Sequence, residues 1–326
     1  MTGERGSAVS AATFRHVQVV VVGSTMVDQI AYCDRMPADG ETRRAHHYAQ
    51  GFGGKGANQA VMAARLGAEV AFIGCVGDDP IGPATIDNLA GYRVDTSGVS
   101  VITGRPSGVA PIWVDGTGAN RILIAPGAND ALDADRVIAA LDRRSQVPSV
   151  ILAQLETPQP ATAAAFAWAA RAGAVTVLNP APASVIEPAL LGVADWLIPN
   201  ESEFLALVGC AASEESVGDA ARRYGNRFIV TLGSDGAILS DGTTTEHIAA
   251  PVAEVVDSTG AGDAFVGAFC VGVAAGLSPT DAARLGCAAG TLSVGRAGTQ
   301  TSFPTVDDVL EVFHLQVQRQ HEMRFP

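Results

Sequence analysis

Six short β-branched runs, at residues 17–22, 70–73, 150–152, 175–178, 196–198 and 228–232, recur along the chain with alanine-rich stretches between them. The first, Val-Gln-Val-Val-Val-Val, ends at Gly23 and lacks the polar alternation of a half-exposed strand. Such a run is apolar on both faces and belongs in a sheet covered on both sides. Residues 58–66, 161–172 and 216–224 have helical length and fall between strand runs, as crossover helices do. This alternation predicts an α/β fold: a doubly wound, mostly parallel sheet in three α/β/α layers. With 326 residues, 48% of them hydrophobic, the chain is long enough to bury such a core.

Two segments interrupt the rhythm. Residues 29–50 and 107–125 carry short alternating patterns, with Asp115-Gly116-Thr117-Gly118 as a turn between two strands. They predict two antiparallel hairpins joined in a small β-sheet beside the carboxyl ends of the main strands, where it can act as a lid. The expected division is an α/β body at 17–28, 51–106 and 126–315, a lid at 29–50 and 107–125, and a flexible N-terminal tail at 1–16. Along the strand at 107–114, Ala110, Ile112 and Val114 point one way and Val109, Pro111 and Trp113 the other. Both lid faces are therefore apolar. One can close over a substrate; the other needs a partner, either the lid of a second copy in a homodimer or the body of the same chain through Trp113.

Composition removes several classes of function. Lys and Arg total 21 against 34 Asp and Glu, a net charge of −13, which argues against a nucleic-acid surface. The five cysteines are scattered without a C-x-x-C pair, and the six histidines form no metal pattern. The longest apolar run, residues 264–277, is too short to span a bilayer. These features predict a cytoplasmic chain with no membrane partner.

The chemistry concentrates in Ser258-Thr259-Gly260-Ala261-Gly262-Asp263, directly before that apolar run. Two glycines flank Ala261 in a turn that opens a helix, whose free N–H groups and positive dipole end can hold an anion. A carboxylate at the mouth of an anion hole repels phosphate if binding is the only task. It makes sense if Asp263 takes a proton from a hydroxyl while the N–H groups stabilise charge developing on a transferring phosphoryl group. Phe265 stands where the third glycine of a dinucleotide fingerprint belongs, so that reading fits poorly. A second cluster, residues 51–58, reads Gly-Phe-Gly-Gly-Lys-Gly-Ala-Asn. Gly56 follows Lys55 where a Walker A loop has Ser or Thr. Asn58 begins a helix there, and the cluster either offers N–H, amide and ammonium groups to a polyol or is a helix cap on a flexible loop. Asp28 and Glu156 each follow a strand at the end where open α/β sheets bind ligands. Asn200 and Glu203 form a capping box, and the same spacing can reach a phosphate-bound Mg²⁺ through water. Thr231, Gly233, Ser234 and Gly236 suit backbone contact with a nucleotide, or a hairpin turn into 237–239.

Residues 53–58 and 257–263, in that order and roughly 200 positions apart, resemble the signatures of the ribokinase family of sugar kinases, and the resemblance runs from about 17 to 303. Residues 154–156, 178–183 and 297–300 reinforce it. The resemblance implies the ribokinase-like fold and ATP-dependent transfer to the 5-hydroxyl of D-ribose, giving D-ribose 5-phosphate. It makes Asp263 the base and Gly260, Ala261 and Gly262 the anion hole. Met26, Asp28, Gly54, Lys55, Asn58 and Glu156 then line the sugar pocket with Asp263. Asn200, Glu203, Thr231, Gly233, Ser234, Gly236 and Gly262 serve ATP and its Mg²⁺, Glu203 through water. Asp257, Thr259, Ser293, Arg296, Gly298 and Ser302 surround K⁺, mostly through backbone oxygens, and the lid pairs two subunits. Met26 departs from the asparagine that bacterial members usually carry, which bears on the choice of sugar. The alternatives are a kinase for another pentose, a ketose or a nucleoside, and, in a different class, a non-catalytic sugar sensor.

Overall fold

Val19 and Val21 join one buried cluster and Val20 and Val22 the other, all with 0% exposure, so β1 (Gln18–Val22) lies between two apolar layers. The computed structural model describes residues 9–324, with side chains to residue 318. The chain continues through β2 (Met26–Tyr32), β3 (His47–Gly53), β4 (Glu69–Gly77), β5 (Asp95–Ile102), β6 (Val109–Val114) and β7 (Asn120–Ile122). Then follow β8 (Val150–Ala153), β9 (Val175–Leu178), β10 (Trp196–Leu197), β11 (Arg227–Thr231), β12 (Ala237–Ser240) and β13 (Thr245–Ile248). The main sheet has nine strands in the order β13-β12-β11-β10-β9-β8-β1-β4-β5, parallel except at the β11–β12–β13 edge. One face buries α1 (Ala11–Phe14), α2 (Lys55–Arg65), α3 (Ile81–Gly91), α9 (Ala261–Ala274), α10 (Pro279–Ser293) and α11 (Val306–Arg324). The other buries α4 (Ala134–Asp142), α5 (Gln159–Ala172), α6 (Pro188–Leu191), α7 (Glu201–Val208) and α8 (Glu214–Tyr224). The three-layer α/β fold is as the sequence predicts.

The small sheet runs β3-β2-β6-β7. Each hairpin is antiparallel, and the two join through a parallel β2–β6 pair. Its edges differ from the expected 29–50 segment: β2 already starts at Met26 and β3 runs on to Gly53, so Asp28 stands on the lid and not on the body. Asp28, Ile30, Ala110 and Ile112 share one face by register; Gln29, Ala31, Tyr48 and Trp113 share the other. The chain covers both faces only in part: Met26, Val27 and Ala110 are buried, but other apolar residues stay open. Tyr48 is 55% exposed, Ile122 51% and Leu123 61%.

The flexible-tail reading of 1–16 fails from Val9 onward. Ala11–Phe14 is helical and Phe14 is completely buried in the core, because an aromatic ring in an otherwise small, polar segment has a strong reason to leave water. Residues 1–8 lie outside the described part. Asn58 does not begin its helix either: Gly54 is the N-cap and Asn58 comes a full turn later, which turns its side chain inward. Among the described residues no helix is long and apolar enough to cross a membrane.

Candidate active site

The site forms where three helix and strand ends meet. β3 leads through Gly54, at φ 87°, straight into α2. A Cβ on Gly54 would sit 2.8 Å from the Met26 N, so both the left-handed backbone and the close approach require glycine. The turn places Lys55, Asn58 and Gln59 on the first turns of α2, facing the start of α9. There Gly260, at φ 79°, caps α9, and the first amides of the helix lack intrahelical acceptors. Beyond its own helix and chain neighbours, nothing lies within 4 Å of where a Cβ on Gly262 would be, so this helix end is open.

Asp263 is buried at that opening. Its Oδ2 accepts from Asn58 Nδ2 at 2.9 Å and its Oδ1 from Gln59 Nε2 at 2.9 Å. Glu156, just past β8, accepts at Oε2 from the Ser24 hydroxyl (2.5 Å) and the Lys55 backbone N–H (2.9 Å). Burial still raises the Glu156 pKa above the usual carboxylate range. Asp28 is pushed up to about 6, by burial first and then by the negative charges of Glu156 and Asp263. Burial alone would lower the Lys55 pKa, but the carboxylates of Asp263, Glu156 and Glu203 outweigh it and the ammonium is held charged. Three carboxylates around the Lys55 ammonium, with Asp28 beside Glu156 and Asp263, leave an excess of negative charge, a surrounding that favours hydroxyl donors and cations.

Beside the α9 N-terminus a cavity of about 230 Å³ runs from Ala261 and Gly262 to Thr231, Gly233, Ser234 and Gly236. Apolar side chains, among them the buried Phe265 and the exposed Val255, line part of its wall. The two readings of 231–236 coincide, since the segment is a hairpin turn from β11 into β12 and also a cavity wall. Asn200 and Glu203 exchange 2.8 Å hydrogen bonds as a capping box. Asn200 also bridges Thr231, which brings this helix start to the same cavity. Burial raises the Glu203 pKa despite the Asn200 N–H. Its Oε1 accepts no hydrogen bond from the protein among the described residues, so a water on a phosphate-bound cation fits there.

Behind the helix start, Asp257 Oδ1 accepts from the Thr259 N–H and Oδ2 from the Gly298 N–H, both at 2.9 Å. Burial opposes ionisation there, but these bonds win and hold the carboxyl below its ordinary pKa. They pin the 257–259 turn to Gly298, in the loop that leaves α10 after Ser293 and carries Arg296 and Ser302. The Ser293 and Ser302 hydroxyls donate to the carbonyls of Gly290 and Thr299. One carboxylate among backbone carbonyls suits a large, weakly hydrated monovalent ion. Among the described residues no group of three or more His, Cys, Asp or Glu could hold a metal.

The model of the pfkB family carbohydrate kinases matches residues 17–306. The chain belongs to that family. Within this kinase family it is 36% identical over 298 residues to a ribokinase of Haemophilus influenzae, covering 90% of this chain and 97% of that one. A deoxyribokinase of Salmonella typhi is 34% identical over 305 residues, covering 92% and 99%. The structure of Arabidopsis thaliana ribokinase complexed with ribose and ATP superposes with a TM-score of 0.83 at 30% identity, covering 91% of this chain and 99% of that one.

The structure brings together Asp28, Lys55, Asn58, Glu156 and Asp263, and sets the 231–236 turn on the cavity next to them, with Asn200 bridged to Thr231. Two features escaped the sequence reading: the wall formed by Val255 and Phe265, and Gln59, which bonds Asp263 directly. An amide in the alanine-rich run 57–64 was the available signal for Gln59.

Proposed function

We propose that this kinase transfers the γ-phosphoryl group of ATP to the 5-hydroxyl of D-ribose, yielding D-ribose 5-phosphate and ADP. The observation that carries this reading is Asp263 at the open N-terminus of α9, beside the Asp28–Glu156–Lys55 cluster. The sugar lies between the lid and the body, its hydroxyls donating to Asp28 and Glu156 and accepting from Lys55, Asn58 and the Gly54 N–H. Asp263 takes the proton of the 5-hydroxyl as its oxygen attacks the γ-phosphorus. The amides of Gly260, Ala261 and Gly262 face the charge that grows on the phosphoryl oxygens, where prealigned dipoles are most effective. ATP occupies the cavity at Thr231, Gly233, Ser234 and Gly236, with its phosphates toward Gly262.

Asn200 and Glu203 are the residues suited to hold Mg²⁺ through water, and that ion when bound shields the phosphates from the carboxylate cluster. Asp257, Thr259, Ser293, Arg296, Gly298 and Ser302 suit K⁺, which when bound adds positive charge behind the anion hole. The uncovered apolar residues of the lid support a homodimer formed through it.

Met26, 2% exposed, supports a second sugar. A thioether in place of an amide removes one polar partner beside Asp28, and the Salmonella relative acts, by its name, on deoxyribose. A coupled ADP-release assay over D-ribose, 2-deoxy-D-ribose, D-fructose and inosine tests both. The expected result is the highest kcat/KM for ribose, with deoxyribose second. Inosine or fructose in first place would overturn the assignment, and ATP binding without turnover on any sugar would favour a sensor.

A further inference from the structure

Gln59 is wholly buried and has every polar group engaged. Its Nε2 donates to Asp263 Oδ1 at 2.9 Å and to Asn179 Oδ1 at 3.0 Å, and its Oε1 accepts from Gln154 Nε2 at 2.5 Å. It cannot touch a substrate. The two residues that hold it come from the carboxyl ends of neighbouring parallel strands. Gln154 follows β8, and Asn179 follows β9. Asn179 is fixed in turn, its N–H donating to Ala153 O at 2.9 Å and its Nδ2 to Ile198 O, past β10, at 2.7 Å. Gln154 is also 0% exposed, and its Oε1 has no hydrogen-bond partner. Its Oε1 lies 2.2 Å from where a Cβ on Gly23 would be, which explains the glycine directly after β1.

A buried amide without a full set of partners is costly to keep. At Gln154 the direction of the bonds shows what that cost supports. Gln154 donates to Gln59 and Gln59 donates to Asp263, so the amide dipoles point the same way and each polarises the next. The chain ends on the carboxylate with a donor and never with a competing acceptor.

Resting on the reading of Asp263 as the base, we propose that Gln59 is a positioning residue, held by Gln154 and Asn179 so that the sheet ends fix the orientation of the Asp263 carboxylate. Asn58, the preceding residue of α2, holds Oδ2 and is itself held by Gln300, whereas Gln59 ties Oδ1 to the sheet ends.

The test is a double-mutant cycle of Gln59→Met with Asp263→Asn, in ribose phosphorylation at saturating ATP. Gln59→Met is expected to lower kcat about 10- to 100-fold, since small misplacements of a reacting group cost this much. The KM for ribose should stay within about threefold, well inside that range, and ATP affinity should not change. In the Asp263→Asn background the further loss should vanish, because Gln59 acts only through that carboxylate. A full, additive loss in that background, or a rise in KM that accounts for the whole effect, would overturn the proposal by making Gln59 a general structural residue. Wild-type kcat in Gln59→Met would overturn it too. Should Gln59→Met not accumulate as folded protein, Gln154→Leu carries the same cycle with a smaller fall in kcat. An active Asp263→Asn single variant defeats the base reading itself. An inactive one beside an unaffected Gln59→Met defeats only the positioning role.

Discussion

The two sides of the pocket are built on opposite principles. On the body side, both oxygens of Asp263 accept hydrogen bonds from amides on α2, and the Gln59 bond is itself anchored by residues at the ends of β8 and β9. On the lid side, Asp28 meets no hydrogen-bond donor among the described residues, and its pKa is pushed up to about 6. It stands on a four-stranded sheet that leaves apolar residues such as Tyr48 and Ile122 exposed. On the proposed reading, the base Asp263 is held ready before substrate arrives, and the carboxylate of Asp28 is left for the sugar to satisfy. Rigidity serves the step that needs fixed geometry, and unsatisfied polarity serves the step that needs affinity.

The sharpest way to break this contrast is to neutralise each carboxylate in turn. Asp263→Asn should keep the fold and ATP affinity and lose about 10²–10⁴ in kcat, the usual worth of a general base. A loss below about threefold, far outside that range, would mean that Asp263 is not the base.

Asp28→Asn should act on KM. Losing charge-assisted hydrogen bonds costs about 1.5–3 kcal/mol, roughly a 10- to 100-fold rise in the KM for ribose. Its stability should change in the other direction. A carboxyl whose folded pKa lies above its unfolded value stabilises the fold when protonated, below the unfolded pKa, and loses that contribution as pH rises through about 6. At pH 8 the variant should therefore be more stable than wild type by about 2 kcal/mol, after allowance for partial exposure, and at pH 3 the two should match. Urea unfolding at both pH values measures this. Equal or lower stability of the variant at pH 8 would contradict the strained lid carboxylate. In the wild type, the KM for ribose should rise as pH falls below about 6.

The lid's open faces give a smaller, structural readout. Light scattering should return a dimer for the wild type and a monomer for Trp113→Asp, since a small sheet needs a packing partner. A monomeric wild type would leave Trp113 covered by its own chain. Smallest of all, replacing Na⁺ by K⁺ at constant ionic strength should raise the turnover rate; equal rates would remove the cation role of Asp257 and its neighbours.

How much of this was legible in the sequence follows from where each signal lies. Strands buried on both faces, such as β1 and β9, announce themselves as unbroken apolar runs. The edge strand β5, half-exposed and interrupted by Gly98, does not, and neither does the short strand β13, whereas β12 was legible as one reading of the 231–236 turn. The glycine turns at 53–56 and 260–262 were readable because close approach and left-handed backbone demand glycine locally. The amide chain was not, because its bonds join distant positions: Gln300 donates to Asn58 across 242 residues. Phe14 was overlooked for the same reason, as its burial depends on helices far along the chain.

Phosphorus NMR of the product mixture from ATP, Mg²⁺ and D-ribose tests the central claim most directly. The account predicts one equivalent of ADP and one phosphomonoester, split by the two C5 protons of ribose 5-phosphate. Inorganic phosphate as the main product, or a phosphate on the anomeric carbon, would contradict transfer to the 5-hydroxyl.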